Sequence, residues 1–149
     1  MTIEIHRLHE RDFDTWLSLW KEYLLFYKSN VNESTTMLTW KKLLDEKMPM
    51  FAWGAFNDRK LVAFAHAVYH PSTWTVGDYC YLQDLFTHPQ VRRQGIATKL
   101  IHAIYDDAQR HCASRVYWLT HETNVEAKKL YEKIAVRSGF IQYRKVLSL

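Results

Sequence analysis

The stretch that decides the fold runs from Gln83 to Leu100 and reads Gln-Asp-Leu-Phe-Thr-His-Pro-Gln-Val-Arg-Arg-Gln-Gly-Ile-Ala-Thr-Lys-Leu. It predicts an apolar strand, a basic turn marked by Gly95, and the start of a helix. A helix start leaves four backbone N–H groups without intrahelical partners and carries a partial positive charge, so it can hold a phosphate. Arg92 and Arg93 add full charges, and Gly95 removes the Cβ where a ligand would touch the backbone. The plain alternative is a helix N-terminus beside two solvated arginines.

Length and composition favour one folded domain over residues 1–149, large enough for a buried core. A hydrophobic fraction of 48% with 24% charged residues excludes a disordered chain. The net charge of +4 is mild, and the sequence contains no block of like charges. Neither nucleic acid nor membrane is therefore an expected partner. The two cysteines, Cys80 and Cys112, form no disulfide or metal pattern. With no targeting segment or long apolar run in the sequence, we expect a soluble cytoplasmic protein.

Hydrophobic periodicity predicts six strands and four helices. The predicted strands are 2–8, 50–56, 61–69, 79–87, 116–120 and 141–146, with a hairpin turn at 57–60. The predicted helices are 13–27 with Asp12 as its cap, a shorter helix within 35–47, 95–111, and one that opens near Asn124 and is capped by Gly139. This order indicates an α/β arrangement around one mixed sheet.

Residues 92–97, Arg-Arg-Gln-Gly-Ile-Ala, resemble motif A of the GNAT superfamily of N-acetyltransferases. The signature is Arg or Gln, two variable residues, Gly, one variable residue, then Gly or Ala. The resemblance extends to residues 81–86, 117–124, Ala127, 130–131 and 138–140. These segments are similar to those of the branch that includes polyamine, thialysine and histone-type amine acetyltransferases. It implies an α/β, single-domain GNAT acyl-CoA N-acyltransferase fold with a mixed central sheet flanked by helices.

The resemblance also implies acetyl-CoA as co-substrate. Its pyrophosphate would lie in the turn after the fourth strand, and its pantetheine arm, a diamide, would pair with that strand's free edge. A helix face at spacing i, i+3 and i+7 would contribute further contacts. The implied cofactor-binding residues are Leu85, Phe86 and Thr87 for the pantetheine, Arg92, Arg93, Gln94, Gly95, Ile96, Ala97 and Thr98 for the pyrophosphate, and Asn124, Ala127 and Tyr131 on the helix.

Acetyl transfer to an amine needs both a base and an acid. An alkyl amine with a pKa of about 10.4 is mostly protonated at pH 7, and the departing sulfur needs a proton. The resemblance makes Tyr131 the acid, although the ring could instead be part of the core. Asp84 is the nearest candidate base, directly or through water, but it could equally cap a helix or pair with an arginine, and similar polyamine acetyltransferases carry Glu where this chain has Gln83. Other possible proton carriers are Glu122, His121, His66 and Tyr79.

Other chemistries lack their motifs. His121-Glu122 has no second histidine at zinc spacing, and His66 and His70 are four residues apart in a predicted strand and loop, so no metal site is predicted. The sequence has no Walker lysine loop, nucleophile elbow or dinucleotide-binding turn.

The sequence therefore predicts an enzyme that moves an acetyl group from acetyl-CoA to a primary amine by direct attack in a ternary complex. The acceptor stays open among polyamines, lysine-like or amino-acid amines, and protein lysine. The alternatives are a non-catalytic acyl-CoA-binding regulatory module and a small nucleic-acid binder, although the latter would need a basic face or stacking platform.

Aromatic residues make up 15% of the chain, which suggests a subunit interface or an aromatic pocket. Family members of this size commonly pair through the C-terminal strand region, so we expect a homodimer. The candidates for lining an acceptor channel are Trp53, Trp74, Tyr79, Tyr81 and Trp118, and those for attracting a cation are Glu33, Asp78 and Glu122.

Overall fold

The computed structural model describes residues 2–148. Within them, the strands are β1 (Ile3–Arg7), β2 (Met50–Asn57), β3 (Lys60–His70), β4 (Tyr79–Thr87) and β5 (Arg115–Tyr117). The helices are α1 (Phe13–Phe26), α2 (Glu33–Leu44), α3 (Ile96–Arg110) and α4 (Val125–Ile134). Two compact units divide these residues, one up to Leu119 and one from Thr120 onward.

The first unit contains one sheet with the order β1-β2-β3-β4-β5. Neighbouring strands are antiparallel except β4 and β5, which are parallel. The predicted mixed sheet flanked by helices is thereby confirmed.

Helices α1 and α2 cover one face of this sheet with an aromatic core. The Trp16 ring packs 4.7 Å from that of Trp40 and 5.6 Å from that of Trp20, measured between centroids. Burial of each such side chain contributes roughly 1.5–3 kcal/mol or more to folding. The buried members of this core are Leu8, Trp16, Leu19, Trp20, Trp40, Leu43, Ala52, Phe56, Leu61, Phe64 and Phe86.

Helix α3 covers the opposite face. Strand residues alternate between the two faces of the sheet. His66 of β3 therefore contacts Trp16 of α1. Tyr69 of the same strand points to the other face, where its hydroxyl donates a hydrogen bond to Asp107 of α3 at 2.7 Å. The apolar stripe predicted for this helix is buried, as Ile96, Leu100, Ile101, Ile104 and Ala108.

The hairpin predicted at 57–60 is confirmed. Asp58 and Arg59 have φ values of 53° and 69°, and Asn57 pairs with Lys60. Two consecutive positive φ values give a turn whose twist matches that of the flanking strands.

Some predicted boundaries are wrong. Asp12 does not cap α1 with its side chain; its carboxylate accepts a hydrogen bond from the His9 N–H at 2.8 Å, across a short 3-10 turn (Glu10–Asp12). Helix α2 begins earlier than expected because the Asn32 side chain accepts from the Thr35 N–H at 2.8 Å. Strand β5 is shorter, ending at Tyr117.

The predicted last strand, 141–146, is also wrong, because the described chain is irregular there. Ile141 and Tyr143 are 74% and 89% exposed, so the alternating pattern has no neighbouring strand to satisfy it within the described residues. Helix α4 ends at Ile134, well before Gly139, and Ala135 is extended. Gly139 does adopt a positive φ of 85°, but not as the helix cap.

None of the helices described in residues 2–148 is both long and apolar enough to cross a membrane. Both cysteines are free; Cys80 is buried and Cys112 is exposed.

Candidate active site

The free edge of β4 is the first feature of the candidate site. Strand β5 pairs only with Tyr79, Cys80 and Tyr81, while β4 continues to Thr87. In the described part of the chain, residues 82–87 therefore have no neighbouring strand on that side. Leu85, Phe86 and Thr87, predicted to pair with pantetheine, lie in this stretch. Their backbone groups are those that an extended diamide could engage.

A β-bulge interrupts the same strand. Ala67 pairs with Leu82 and His66 pairs with Asp84, so Gln83 is the extra residue. Its side chain is exposed. A bulge changes the face to which the following side chains point.

The bulge determines the surroundings of Asp84. Cys80 interacts with Tyr69 and the charge of Asp107, on the face covered by α3. Strict alternation would direct Asp84 to that same face. Instead its carboxylate lies on the α1 side, where it contacts His66 and Tyr23.

Asp84 accepts two hydrogen bonds. The Tyr23 hydroxyl donates to Oδ1 at 2.7 Å, and His66 Nδ1 lies 2.9 Å from Oδ2. Burial, and next the charge of Asp84, raise the pKa of Tyr23. Tyr23 therefore stays protonated and acts as a donor. The alternative that Asp84 pairs with an arginine is not what the structure shows, because its recorded partners are a tyrosine and a histidine.

The turn between β4 and α3 has the features expected of an anion site. Arg93 and Gly95 have φ values of 63° and 76°. No side chain caps the start of α3. A Cβ on Gly95 would have no described protein atom within 4 Å apart from its chain neighbours, so the space beside this Cα is open. Backbone N–H groups of a helix start facing such a space fit a pyrophosphate.

The turn residues differ in what they can offer. The Arg92 Nε–H donates to the Thr87 carbonyl at 2.9 Å, and its guanidinium lies over Phe86 and Phe26, at 5.3 and 5.5 Å from the ring centroids. Ile96 has its side chain in the core, so only its backbone is available to a ligand. Arg93 and Gln94 are exposed, whereas Ala97 and Thr98 are half-buried.

The second unit contains the remaining predicted residues, on α4. Asn124 caps this helix, its side-chain oxygen accepting from the Ala127 N–H at 3.4 Å. Asn124, Ala127 and Tyr131 are half-buried, whereas Val125 and Glu126 between them are exposed. Helix α4 contains Ala127 and Tyr131 and begins directly after Asn124, as the predicted spacing requires.

The aromatic residues proposed for an acceptor channel do not form one group. Tyr79 and Tyr81 share a cluster with Tyr117, whose hydroxyl lies 2.7 Å from His70 Nε2. Arg115 stacks on Tyr79 at 3.7 Å from the ring centroid. The other three are elsewhere: Trp53 beside Arg7, Trp74 with 83% of its surface exposed, and Trp118 beside Tyr105.

The remaining polar candidates are dispersed. His121 Nδ1 lies 3.1 Å from the Thr123 hydroxyl, and Glu122 is exposed. Glu33 is in the first turn of α2. Among residues 2–148 no three histidine, cysteine or acidic side chains are arranged to hold a metal ion.

Sequence reasoning named His66 only as one of several proton carriers and missed Trp16 and Tyr23. The Trp16 indole Nε1–H donates to His66 Nε2 at 3.0 Å. In the sequence, Trp16 and Tyr23 are only members of an apolar helix stripe, and no local signal links them to Asp84.

Residues 4–135 match the acetyltransferase (GNAT) family. The chain belongs to this family. The GNAT chain is 28% identical over 145 residues to the D-amino-acid N-acetyltransferase HPA3 of Saccharomyces cerevisiae. This alignment covers 96% of the chain and 90% of the relative. It is 35% identical over 63 residues to a thialysine N-epsilon-acetyltransferase of Caenorhabditis elegans, covering 42% and 39%.

Solved structures share the fold of this GNAT chain. The ribosomal-protein-alanine N-acetyltransferase of Brucella melitensis biovar Abortus 2308 has a TM-score of 0.78 at 24% identity, covering 98% of this chain and 100% of its own. The aminoglycoside N-acetyltransferase AAC(6')-Iy, solved with the bisubstrate analogue CoA-S-monomethyl-acetylneamine, has a TM-score of 0.84 at 17% identity, covering 99% and 100%. GNAT neighbours of this fold thus bind CoA derivatives.

Proposed function

We propose that this GNAT chain transfers the acetyl group of acetyl-CoA to the primary amine of a small molecule by direct attack in a ternary complex. The observation that carries the proposal is the free edge of β4, which is followed, after a short 3-10 turn (Pro89–Val91), by the Gly95 turn at the start of α3. An extended diamide and a pyrophosphate require those two features in that order.

In this proposal the cofactor is held mainly by backbone groups. Residues 92–98 hold the pyrophosphate through the start of α3, with the two arginines supplying charge. The edge residues 85–87 pair with the pantetheine, and Asn124, Ala127 and Tyr131 contribute the α4 face. Acetyl-CoA supplies an activated acetyl thioester when bound.

Asp84 binds the acceptor's ammonium group and takes up its proton, directly or through water. Each carboxylate oxygen accepts one protein hydrogen bond in the structure and has capacity for another. The neutral amine attacks the thioester carbon, so that the C–N bond forms and the C–S bond then breaks. Tyr131 donates its phenolic proton to the leaving sulfur. The new amide nitrogen releases its surplus proton to solvent, Tyr131 regains a proton from solvent, and Asp84 releases the proton that it took up.

For the acceptor we propose a free amino acid. Support comes from the D-amino-acid acetyltransferase, which aligns over 96% of this chain. The thialysine enzyme aligns over only 42%, so it supports an amino-acid amine less strongly. Polyamines and protein lysine are the competing acceptors.

Two further parts of the proposal concern the environment of the enzyme. A homodimer is supported by the exposed apolar side chains of the C-terminal tail, among them Phe140, Ile141 and Val146. A cytoplasmic location is supported by the two free cysteines.

The test combines calorimetric titration of acetyl-CoA with a thiol-release assay on an amine panel. The panel contains D- and L-amino acids, lysine, thialysine, spermidine and a histone-tail peptide. We expect acetyl-CoA binding and the highest kcat/KM with an amino acid. Binding without turnover on any amine would favour the regulatory module instead, and absence of acetyl-CoA binding would refute both.

A further inference from the structure

A buried hydrogen-bonded chain crosses from α1 to β4 behind the candidate base. Trp16 Nε1 lies 3.0 Å from His66 Nε2, His66 Nδ1 lies 2.9 Å from Asp84 Oδ2, and Tyr23 Oη lies 2.7 Å from Asp84 Oδ1. Trp16 and His66 are 0% and 2% exposed, while the Asp84 side chain keeps 17%. The end of the chain formed by Asp84 and the half-buried Tyr23 is therefore the end that a substrate can reach, whereas Trp16 and His66 are closed to it.

The indole at the inner end decides the protonation of the histidine. An indole N–H can only donate, so His66 Nε2 must be the acceptor of that bond. The hydrogen of the neutral ring is then on Nδ1, and it is donated to Asp84. A second hydrogen on Nε2 would point at the Trp16 N–H and leave two buried donors opposed.

This arrangement excludes His66 as a proton shuttle, because its inner nitrogen has no acceptor to which a proton could pass. It also gives both Asp84 oxygens a fixed donor, which suits a carboxylate and fixes its plane. Titratable groups near Asp84 are His66 from β3, Tyr23 from α1 and Tyr27 directly after α1, with Tyr81 from β4 acting on Tyr23.

We propose that Trp16 and His66 are positioning residues for acetyl transfer: Trp16 fixes His66 as the Nδ1–H tautomer, and His66, with Tyr23, holds Asp84 as an oriented carboxylate for the acceptor's ammonium group. The proposal rests on the proposed function, in which Asp84 meets the amine. A side chain about 1 Å out of place can cost roughly 100-fold in rate, so the orientation of Asp84 matters even though His66 and Trp16 touch no substrate.

The first test is spectroscopic and needs no turnover. Long-range nitrogen–proton correlation spectra of the full chain, labelled in histidine, distinguish the tautomers. We expect the neutral His66 ring to carry its hydrogen on Nδ1. In Trp16→Phe, Nε2 loses its donor, so we expect the Nε2–H tautomer to become detectable. An Nε2–H tautomer in the wild type would overturn the proposal.

Trp20→Phe is the matched control. Trp20 is buried on the same helix and its Nε1–H donates to the Thr36 hydroxyl at 3.1 Å, so the substitution removes an equivalent ring and hydrogen bond. The Trp20 ring also packs against His66, with 5.6 Å between centroids, so either substitution can shift the resonances of that ring. We expect both variants to lower the melting temperature, but only Trp16→Phe to change which His66 nitrogen carries the hydrogen. Equal changes in both would mean that general core loosening, rather than the Trp16 donor, controls the ring.

The second test is kinetic, with the best acceptor from the amine panel. His66→Asn keeps an N–H near the position of Nδ1, whereas His66→Leu fills similar volume without a donor. We expect His66→Leu to lower kcat/KM for the amine by about 10- to 100-fold with little change in KM for acetyl-CoA. His66→Asn should recover most of that loss.

These outcomes separate the two hypotheses. If no amine is acetylated, the proposed function fails while the tautomer spectra still test the Trp16–His66 contact. If acetylation proceeds but His66→Asn and His66→Leu are equally impaired, or equally active, the positioning role is refuted and the function stands.

Discussion

Gly95 is the residue on which the proposed phosphate turn most depends. Its φ of 76° is one that other residues rarely adopt, and the space beside its Cα is open. We predict that Gly95→Ala raises the Kd for CoA at least tenfold, since a methyl group would enter the pyrophosphate space, and that Gly95→Asp abolishes binding by adding a negative charge. Calorimetric titration of the folded variants measures both.

Gly139→Ala provides the matched control for this prediction. Gly139 has a φ of 85° and equally open surroundings, so the backbone strain added by a methyl group is comparable. It should lower stability by a similar amount, about 1 kcal/mol, without changing CoA affinity. Wild-type CoA affinity in folded Gly95→Asp would remove the turn from the binding site.

Tyr131 gives opposite results under its two interpretations. If its hydroxyl protonates the departing sulfur, Tyr131→Phe keeps the ring but lowers kcat by roughly 10- to 1,000-fold, at unchanged CoA affinity. If the ring is only core, kcat per folded molecule is unchanged and any effect is on the melting temperature. Tyr143→Phe, at a tyrosine that is 89% exposed, is the control for loss of a hydroxyl.

At the level of single residues, sequence predicts local geometry better than contacts across the fold. Arg93 and Gly95 belong to one short motif, and both adopt the positive φ values of the predicted turn. Tyr23, by contrast, lies 61 positions from Asp84 in the chain, and only the packing of α1 against the sheet joins them. Trp16 and His66 are similarly 50 positions apart.

Among the elements, the bulge in β4 decides which face receives Asp84. We predict that deleting Gln83 leaves Asp84 on the α1 face, because Leu82, on the α3 face, then directly precedes Asp84 and the pairing of Asp84 with His66 is kept. The kcat/KM should therefore fall much less than in His66→Leu, which removes a donor to the carboxylate of Asp84.

Gln83→Ala controls for the loss of the side chain itself. It keeps the extra residue, and the Gln83 side chain is exposed, so activity should remain within a few-fold of wild type. Circular dichroism of the deletion variant establishes that it folds before its kinetics are compared. A loss of kcat/KM in the folded deletion variant as large as that in His66→Leu would contradict the pairing of Asp84 with His66 on the α1 face.

The elements themselves were largely predictable because their apolar periodicity is strong. Strand β4 has its predicted bounds, and α3 differs from its prediction by a residue at each end. The bulge was not predictable, since one extra residue leaves the apolar pattern almost unchanged. The predicted strand at 141–146 was wrong because alternating hydrophobicity shows only that a segment could pair as a strand. Whether it does pair depends on a neighbouring strand, which the local sequence does not reveal.

For the whole molecule, we predict a homodimer at micromolar concentration, stabilised by the apolar C-terminal tail. Phe140 and Ile141 are 86% and 74% exposed, an arrangement costly in water. Replacing both with lysine should shift sedimentation to the monomer, whereas Ser148→Lys adds charge to an exposed tail position without removing apolar surface. A wild-type monomer mass in sedimentation or light scattering would contradict the prediction.

The buried cysteine has a practical consequence for measuring this enzyme. Burial raises the pKa of the Cys80 thiol to about 11, so at pH 8 only about 0.1% of it is the reactive thiolate. Cys112 is exposed. We predict that a thiol reagent modifies one site per native chain at pH 8 and two after denaturation, by mass spectrometry; rapid double modification of the native chain would contradict this. A native Cys112→Ser enzyme would then not react with a chromogenic thiol reagent. In a thiol-release assay, the colour that develops during turnover would come from released CoA alone.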